Sequence, residues 1–309
     1  MRQVNIKKPD RVFIIGVEKG GTTALAGWLV KNGLAEYAVP GVKESDHYSA
    51  FAPAAPIIER ELPILDASIG YFTNSLAMSR LPVQGSRIVV CLRNPFERTW
   101  SSYKMKKLVV QQGEGADLIR SRVHSAAGTY FKEGQTTYQK WKAITKNLSD
   151  PEIGWVVEKY FDEEADRIMQ GSFLQRIEYE SAFLAARRQF PFLSILWCSY
   201  YYHGLRMVLD KYPPEDVLVL TMNTLHTPHA RNELTERLLG MNNGGAELDF
   251  VFTSRDIEFD EPKPDFSSAD FDFLRKIFNY DLQQTFELLR SRGTCTDFID
   301  SQELWRHIV

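Results

Sequence analysis

Three runs of uninterrupted apolar residues mark the chain, and helical spacing follows each. The first, residues 11–17, carries Val12, Phe13, Ile14 and Ile15 without the alternation of a half-exposed strand. Such a run suits a strand covered on both faces, as in a parallel sheet. Glycines follow it, and residues 22–29 then read as a helix start. Residues 87–92 form the second run, with a helix predicted over 96–110. Residues 216–221 form the third, after the break at Pro213 and Pro214. Ser267 and Ser268 can cap a last helix that carries Phe271, Leu274, Ile277, Phe278, Leu282 and Phe286, and Gly293 can end it. Strands alternating with helices predict an α/β fold: a P-loop-like central parallel sheet flanked by helices on both faces. No composition shift marks a boundary, so residues 1–309 read as a single domain. Residues 111–178 are rich in polar and aromatic residues, show no strand, and read as a variable, helical or looped segment.

Composition narrows the function. The formal net charge is -3 and the pI about 6.1. A broad electrostatic grip on nucleic acid needs a basic face, so no nucleic-acid partner is expected and any anion site must be local. Cys91, Cys198 and Cys295 are widely spaced, which indicates neither a disulfide framework nor a zinc site. No run reaches the roughly 18 to 20 apolar residues of a membrane helix, and residues 1–10 are polar. These features read as a cytoplasmic protein without a membrane span.

The turn after the first strand carries the chemistry. It reads Gly16, Val17, Glu18, Lys19, Gly20, Gly21, Thr22, Thr23. Glycines let backbone N–H groups approach an anion, and a helix N-terminus adds donors and a partial positive charge. Lys19 adds a full charge and the threonines add hydroxyls. A chain reversal alone needs none of these. The nucleoside-triphosphate loop has its lysine directly after the second glycine and a hydroxyl for magnesium next. Here Thr22 stands at that place and the lysine lies inside the loop. Asp66 is the nearest candidate for holding magnesium. A kinase or ATPase is therefore disfavoured.

A second candidate anion site follows the second strand. Arg93 sits at the strand end, a frequent ligand position in open α/β sheets, and Ser101 lies about two helical turns on. The guanidinium fork can donate two parallel hydrogen bonds to one phosphate.

Together the segments Lys19-Gly20-Gly21-Thr22-Thr23 and Arg93-Asn94-Pro95-Phe96-Glu97-Arg98-Thr99-Trp100-Ser101-Ser102-Tyr103 resemble the sulfotransferases that use 3'-phosphoadenosine 5'-phosphosulfate (PAPS), most of all the heparan-sulfate and bacterial glycan branch. The family has Asp where this chain has Asn94. The resemblance implies that Lys19, Gly20, Gly21, Thr22 and Thr23 bind the 5'-phosphosulfate, that Arg93 and Ser101 bind the 3'-phosphate, and that PAP is the product with no metal required. It places Lys19 near the bridging oxygen of the leaving phosphate. The family's base-bearing segment corresponds to Lys43, Glu44, Ser45, Asp46, His47 and Tyr48. Glu44 is then the expected base and His47 its rival, since histidine needs little tuning near neutral pH. The family often has Glu-Lys-Ser/Thr-Pro-x-Tyr further on, where this chain reads Asp66-Ala67-Ser68-Ile69-Gly70-Tyr71, with Ala67 in place of the lysine. Arg255 lies roughly where the family wraps the 3'-phosphate.

The implied activity is O-sulfation of a carbohydrate or related polyhydroxylated acceptor, as in polysaccharide biosynthesis, with a small-molecule secondary metabolite as the alternative acceptor. A P-loop kinase and a non-catalytic nucleotide-binding module are the competing readings. Tyr130, Phe131, Tyr138, Trp141 and Trp155, within the variable segment, could stack on sugar faces, although core packing suits most of them.

Overall fold

The three apolar runs form neighbouring strands. The structure, a computed structural model, describes residues 8–45, 47–48, 61–111, 163–164, 166–187, 193–241, 246–248 and 259–308. Strands β1 (Arg11–Gly16), β2 (Glu36–Tyr37), β3 (Ile64–Asp66), β4 (Ser86–Leu92) and β5 (Val217–Thr221) make one sheet in the order β2-β3-β1-β4-β5. Every pairing is parallel. The strands β2 and β3 were not expected. Two and three residues are too short to show a period.

Alternate residues of β1, β4 and β5 feed two cores, one on each face. Phe13, Ile15, Ile88, Val90 and Val219 pack with Phe96, Trp100 and Tyr103 of helix α3 (Pro95–Gln111). Helices later in the chain complete this face, with Leu205, Val208, Phe278 and Leu282 in the same cluster. On the opposite face Val12, Ile14, Val89, Cys91 and Leu220 meet Leu25, Trp28 and Leu29 of α1 (Thr22–Lys31). Full burial of each large aliphatic or aromatic side chain contributes about 1.5–3 kcal/mol. The α/β sheet with helices on both faces is as the apolar pattern predicts.

Other helices include α2 (Ser75–Arg80), α4 (Phe173–Arg187), α5 (Tyr201–Lys211), α6 (Pro228–Leu239), α7 (Asp272–Arg292) and α8 (Ser301–Trp305). The start of α7 differs from expectation. Neither serine caps it: Ser267 Oγ donates to Asp265 at 2.6 Å, and a 3-10 turn, Ala269–Phe271, intervenes. Its buried stripe is Leu274, Phe278, Leu282, Thr285 and Leu289, which leaves Ile277 about 100° off the stripe and exposed. Gly293 ends the helix at φ 68°, in the left-handed region open to glycine. No helix among the described residues is long and apolar enough to cross a membrane.

Candidate active site

Adjacent strands β1 and β4 send the chain to opposite faces, into α1 and α3 respectively. A crevice opens at such a switch point, beyond the carboxyl ends of the strands. The glycine loop and the Arg93 segment are its two lips.

The loop is held tightly. Val17 N–H donates to the Cys91 carbonyl at 3.0 Å, and Gly20 N–H to the Val17 carbonyl at 2.9 Å. A Cβ on Gly20 would fall 2.2 Å from the Cys91 carbonyl oxygen, and one on Gly21 would fall 2.2 Å from Met222 Cγ. Gly21 also has φ 100°, and Lys19 has φ 67°, a region few residues with a side chain adopt. Helix α1 begins at Thr22 with no capping side chain and no acid in its first turn. Its amide donors and partial positive charge therefore meet no built-in carboxylate. Thr22 is buried and Thr23 exposed.

The Arg93 segment touches the loop directly. Arg93 Nη1 donates to the Lys19 carbonyl at 3.3 Å, and Arg98 Nη1 to the Glu18 carbonyl at 3.4 Å. Arg98 is fully buried and also donates from Nε to Ser199 Oγ at 2.5 Å. The Tyr201 hydroxyl donates to the Arg93 carbonyl. Burial pulls Lys19 down from the usual lysine value to about 8; Glu18 opposes that fall, and Arg93, Lys106 and Arg98 add to it. Ser101 is buried, and its Oγ has no hydrogen-bond partner among the described residues. Buried hydroxyls are nearly always bonded, so an oxyanion reaching Ser101 Oγ would relieve a real cost. An orphaned hydroxyl, a cradle that only glycine fits and two cationic side chains suit a phosphorylated ligand.

Sequence reasoning missed Glu18. Its carboxylate accepts from Ser102 Oγ, lies 3.2 Å from Lys106 Nζ, and lies 3.6 Å from Arg98 Nη1. Burial alone would raise it, yet Lys106, Arg98 and the Ser102 hydroxyl hold it below the ordinary glutamate value. The clue was available: Arg98, Ser102 and Lys106 follow one another at four-residue spacing, a polar stripe on a buried helix.

Asn94 explains its own departure from the family's aspartate. Its Oδ1 caps α3 by accepting from Glu97 N–H at 3.0 Å. Its Nδ2 donates to the carbonyls of Glu303, Leu304 and Arg306 at 3.2, 3.1 and 2.6 Å. An aspartate could make the first contact and none of the other three. The arm carrying α8 is fixed from the other side too: Thr221 N–H donates to the Phe298 carbonyl at 2.9 Å, and Asp300 N–H to Thr221 Oγ1 at 2.8 Å.

The segment with the expected base lies beyond β3. Ala67 N–H donates to the Lys43 carbonyl at 2.9 Å, and the Lys43 ammonium pairs with the Glu44 carboxylate. The Lys43 side chain is 9% exposed and that of Glu44 19%. Asp66 anchors this segment rather than offering itself to a cation. It accepts from Ser45 Oγ at 2.6 Å, Ser68 N–H at 3.1 Å and the Tyr71 hydroxyl at 2.9 Å. His47 N–H donates to Ser45 Oγ at 3.3 Å, and its ring meets Tyr48 edge-on at 4.7 Å. Ala67 is fully buried in the α1-side core, where a lysine would bring an unpaired charge. Arg255, Asp46 and the five aromatics of the variable segment lie outside the described residues. Among the described residues, no group of three or more His, Cys, Asp or Glu could hold a metal ion.

No family model and no curated protein matches the chain. Among solved structures, the crystal structure of a sulfotransferase from Alicyclobacillus acidocaldarius is similar, with a TM-score of 0.52 at 16% identity. The match covers 92% of this chain and 97% of that one. The glycine loop, the split between β1 and β4 and the flanking helices thus sit within an architecture that runs nearly end to end in both proteins: the chain has the fold of a sulfotransferase.

Proposed function

We propose that the chain transfers a sulfuryl group from PAPS to a hydroxyl of a carbohydrate or related polyhydroxylated acceptor. One observation carries this reading: the Arg93 guanidinium bonds the carbonyl of Lys19 in the glycine loop, and on the helix that Arg93 leads into the buried Ser101 hydroxyl has no partner among the described residues. Two anion sites therefore share one crevice, which suits a ligand with two separated phosphates. The fold agrees with it.

When bound, the donor supplies a sulfuryl group attached through a phosphosulfate bridge. Gly20, Gly21, Thr22 and Thr23 line its 5' end, and Lys19 sets a cation beside the phosphate on which charge develops as the bridge breaks. Arg93 and Ser101 hold the 3'-phosphate, with Arg255 assigned there from sequence. Glu44 takes the proton of the acceptor hydroxyl. Its carboxylate is held in place by the Lys43 ammonium. His47 is the second choice: its backbone N–H bonds Ser45 Oγ and its ring packs edge-on against Tyr48.

The test is an acceptor screen with labelled donor, read by mass spectrometry. Transfer of label by the wild type, lost in Glu44→Ala and in Lys19→Ala, supports the reading. Tighter binding of ATP with magnesium than of PAP would overturn it in favour of a kinase. Donor binding with no transfer to any acceptor would favour a non-catalytic module.

A further inference from the structure

We propose that Glu18 is a positioning residue of the donor site, whose carboxylate fastens the glycine loop to α3 and sets the electrostatic field in which Lys19 works. The inference rests on the donor-site reading above.

The Glu18 carboxylate meets the stripe formed by Arg98, Ser102 and Lys106. Lys106 Nζ also bonds Ser102 Oγ at 3.0 Å and the Ser194 carbonyl at 2.5 Å, so this stripe is itself braced from behind. Arg98 is braced by Ser199 Oγ. Glu18 thus joins the glycine-rich turn to α3. That helix carries Arg93 at its entry and Ser101 on its second turn. The 5' and 3' ends of the donor are consequently referred to one frame.

The same carboxylate balances charge. Arg93, Arg98, Lys106 and Lys19 crowd the region, and Glu18 pulls the Lys19 titration upward against them. The Cys198 thiol also faces Glu18 and, with its titration pushed up by burial, stays neutral. Removing the Glu18 charge takes away its upward pull on Lys19 and moves that titration further below about 8. A residue that only filled space would leave that titration where it is.

The experiment compares Glu18→Gln, Glu18→Asp and Ser102→Ala with the wild type. Donor kcat/KM is followed across pH, since this profile reports groups of the free enzyme. Glu18→Gln is expected to lose on the order of 100-fold in kcat/KM, as a small displacement of catalytic groups does. Its alkaline limb, set by loss of the Lys19 proton, moves to lower pH. Glu18→Asp keeps the charge and restores the position of the limb. Ser102→Ala buries no new unpaired charge and so guards against simple misfolding; it keeps the limb and lowers kcat/KM. Thermal unfolding with and without PAP is measured alongside.

An unshifted limb in a folded Glu18→Gln protein, or full activity in both Glu18→Gln and Ser102→Ala, overturns the proposal and leaves the donor site standing. A wild type that binds no PAP overturns the donor site instead.

Discussion

Asn94 Nδ2 lies 2.6 Å from the carbonyl oxygen of Arg306, and the same amide serves the carbonyls of Glu303 and Leu304. The side chain next to Arg93 thus ties the candidate 3'-phosphate site to the arm bearing α8. Asn94→Asp keeps the helix cap and sets a carboxylate against three carbonyl oxygens. It is expected to cost about 1–3 kcal/mol or more, the range for a buried polar group left without its partner, with charged groups at the upper end. Urea unfolding of the two proteins measures the difference, and a change within error would sever the arm from the site.

Lys19 is expected to give the candidate site a pH dependence. Its titration is lowered by burial to about 8, so the cation is present below that pH and lost above it. PAP affinity is expected to fall as pH rises from 7 to 9.5. Binding near pH 8 should take up protons, because phosphate favours the charged amine. Calorimetry in two buffers of different ionisation enthalpy reads this directly. Lys19→Arg should flatten the profile over the same range.

Arg93 and Ser101 are expected to read the 3'-phosphate specifically. Arg93→Ala should weaken PAP by about 1.5–3 kcal/mol, the span for hydrogen bonds to charged groups, while adenosine 5'-phosphate binds nearly as before. Ser101→Ala should show the same selectivity with a smaller loss. Equal losses for both ligands would move the 3'-phosphate elsewhere.

Glu44 and His47 separate by kinetics. Glu44→Gln is expected to lower kcat by 10²–10⁴, the range for a general base, with PAP binding kept. His47→Ala should retain transfer within about threefold, an order-of-magnitude allowance for a residue away from the proton. The reverse ranking would make histidine the base.

Asp281 adds a stability signature. It caps α5, accepting from Tyr201 N–H at 2.7 Å and Tyr202 N–H at 3.3 Å, and burial pushes it up to about 6. A carboxyl raised in the folded state stabilises most when protonated, and that contribution declines as pH rises through about 6. Relative to Asp281→Asn, the wild type should lose about 2 kcal/mol between pH 4 and 7, from a shift near two pH units. Denaturation at those pH values checks it.

The sheet was legible where strands are long and covered on both faces. The apolar runs at β1, β4 and β5 could hardly be anything else. The glycine loop and Arg93 were legible because their chemistry is local in sequence. What escaped was the tertiary part. Glu18 finds Ser102 and Lys106 84 and 88 positions away, and nothing next to it announces them. Asp66 looked like a possible cation ligand because its partners Ser45 and Tyr71 lie on different segments. Asn94 looked like a simple departure until the arm that it holds came into view.

That arm has a bearing on biosynthesis. Asn94 and Arg306 are 212 positions apart. A ribosome releases the glycine loop and the Arg93 corner early and the stretch that braces them late. The growing polypeptide therefore holds these two segments unbraced until α8 has emerged, and a product cut short before it would be born without that support.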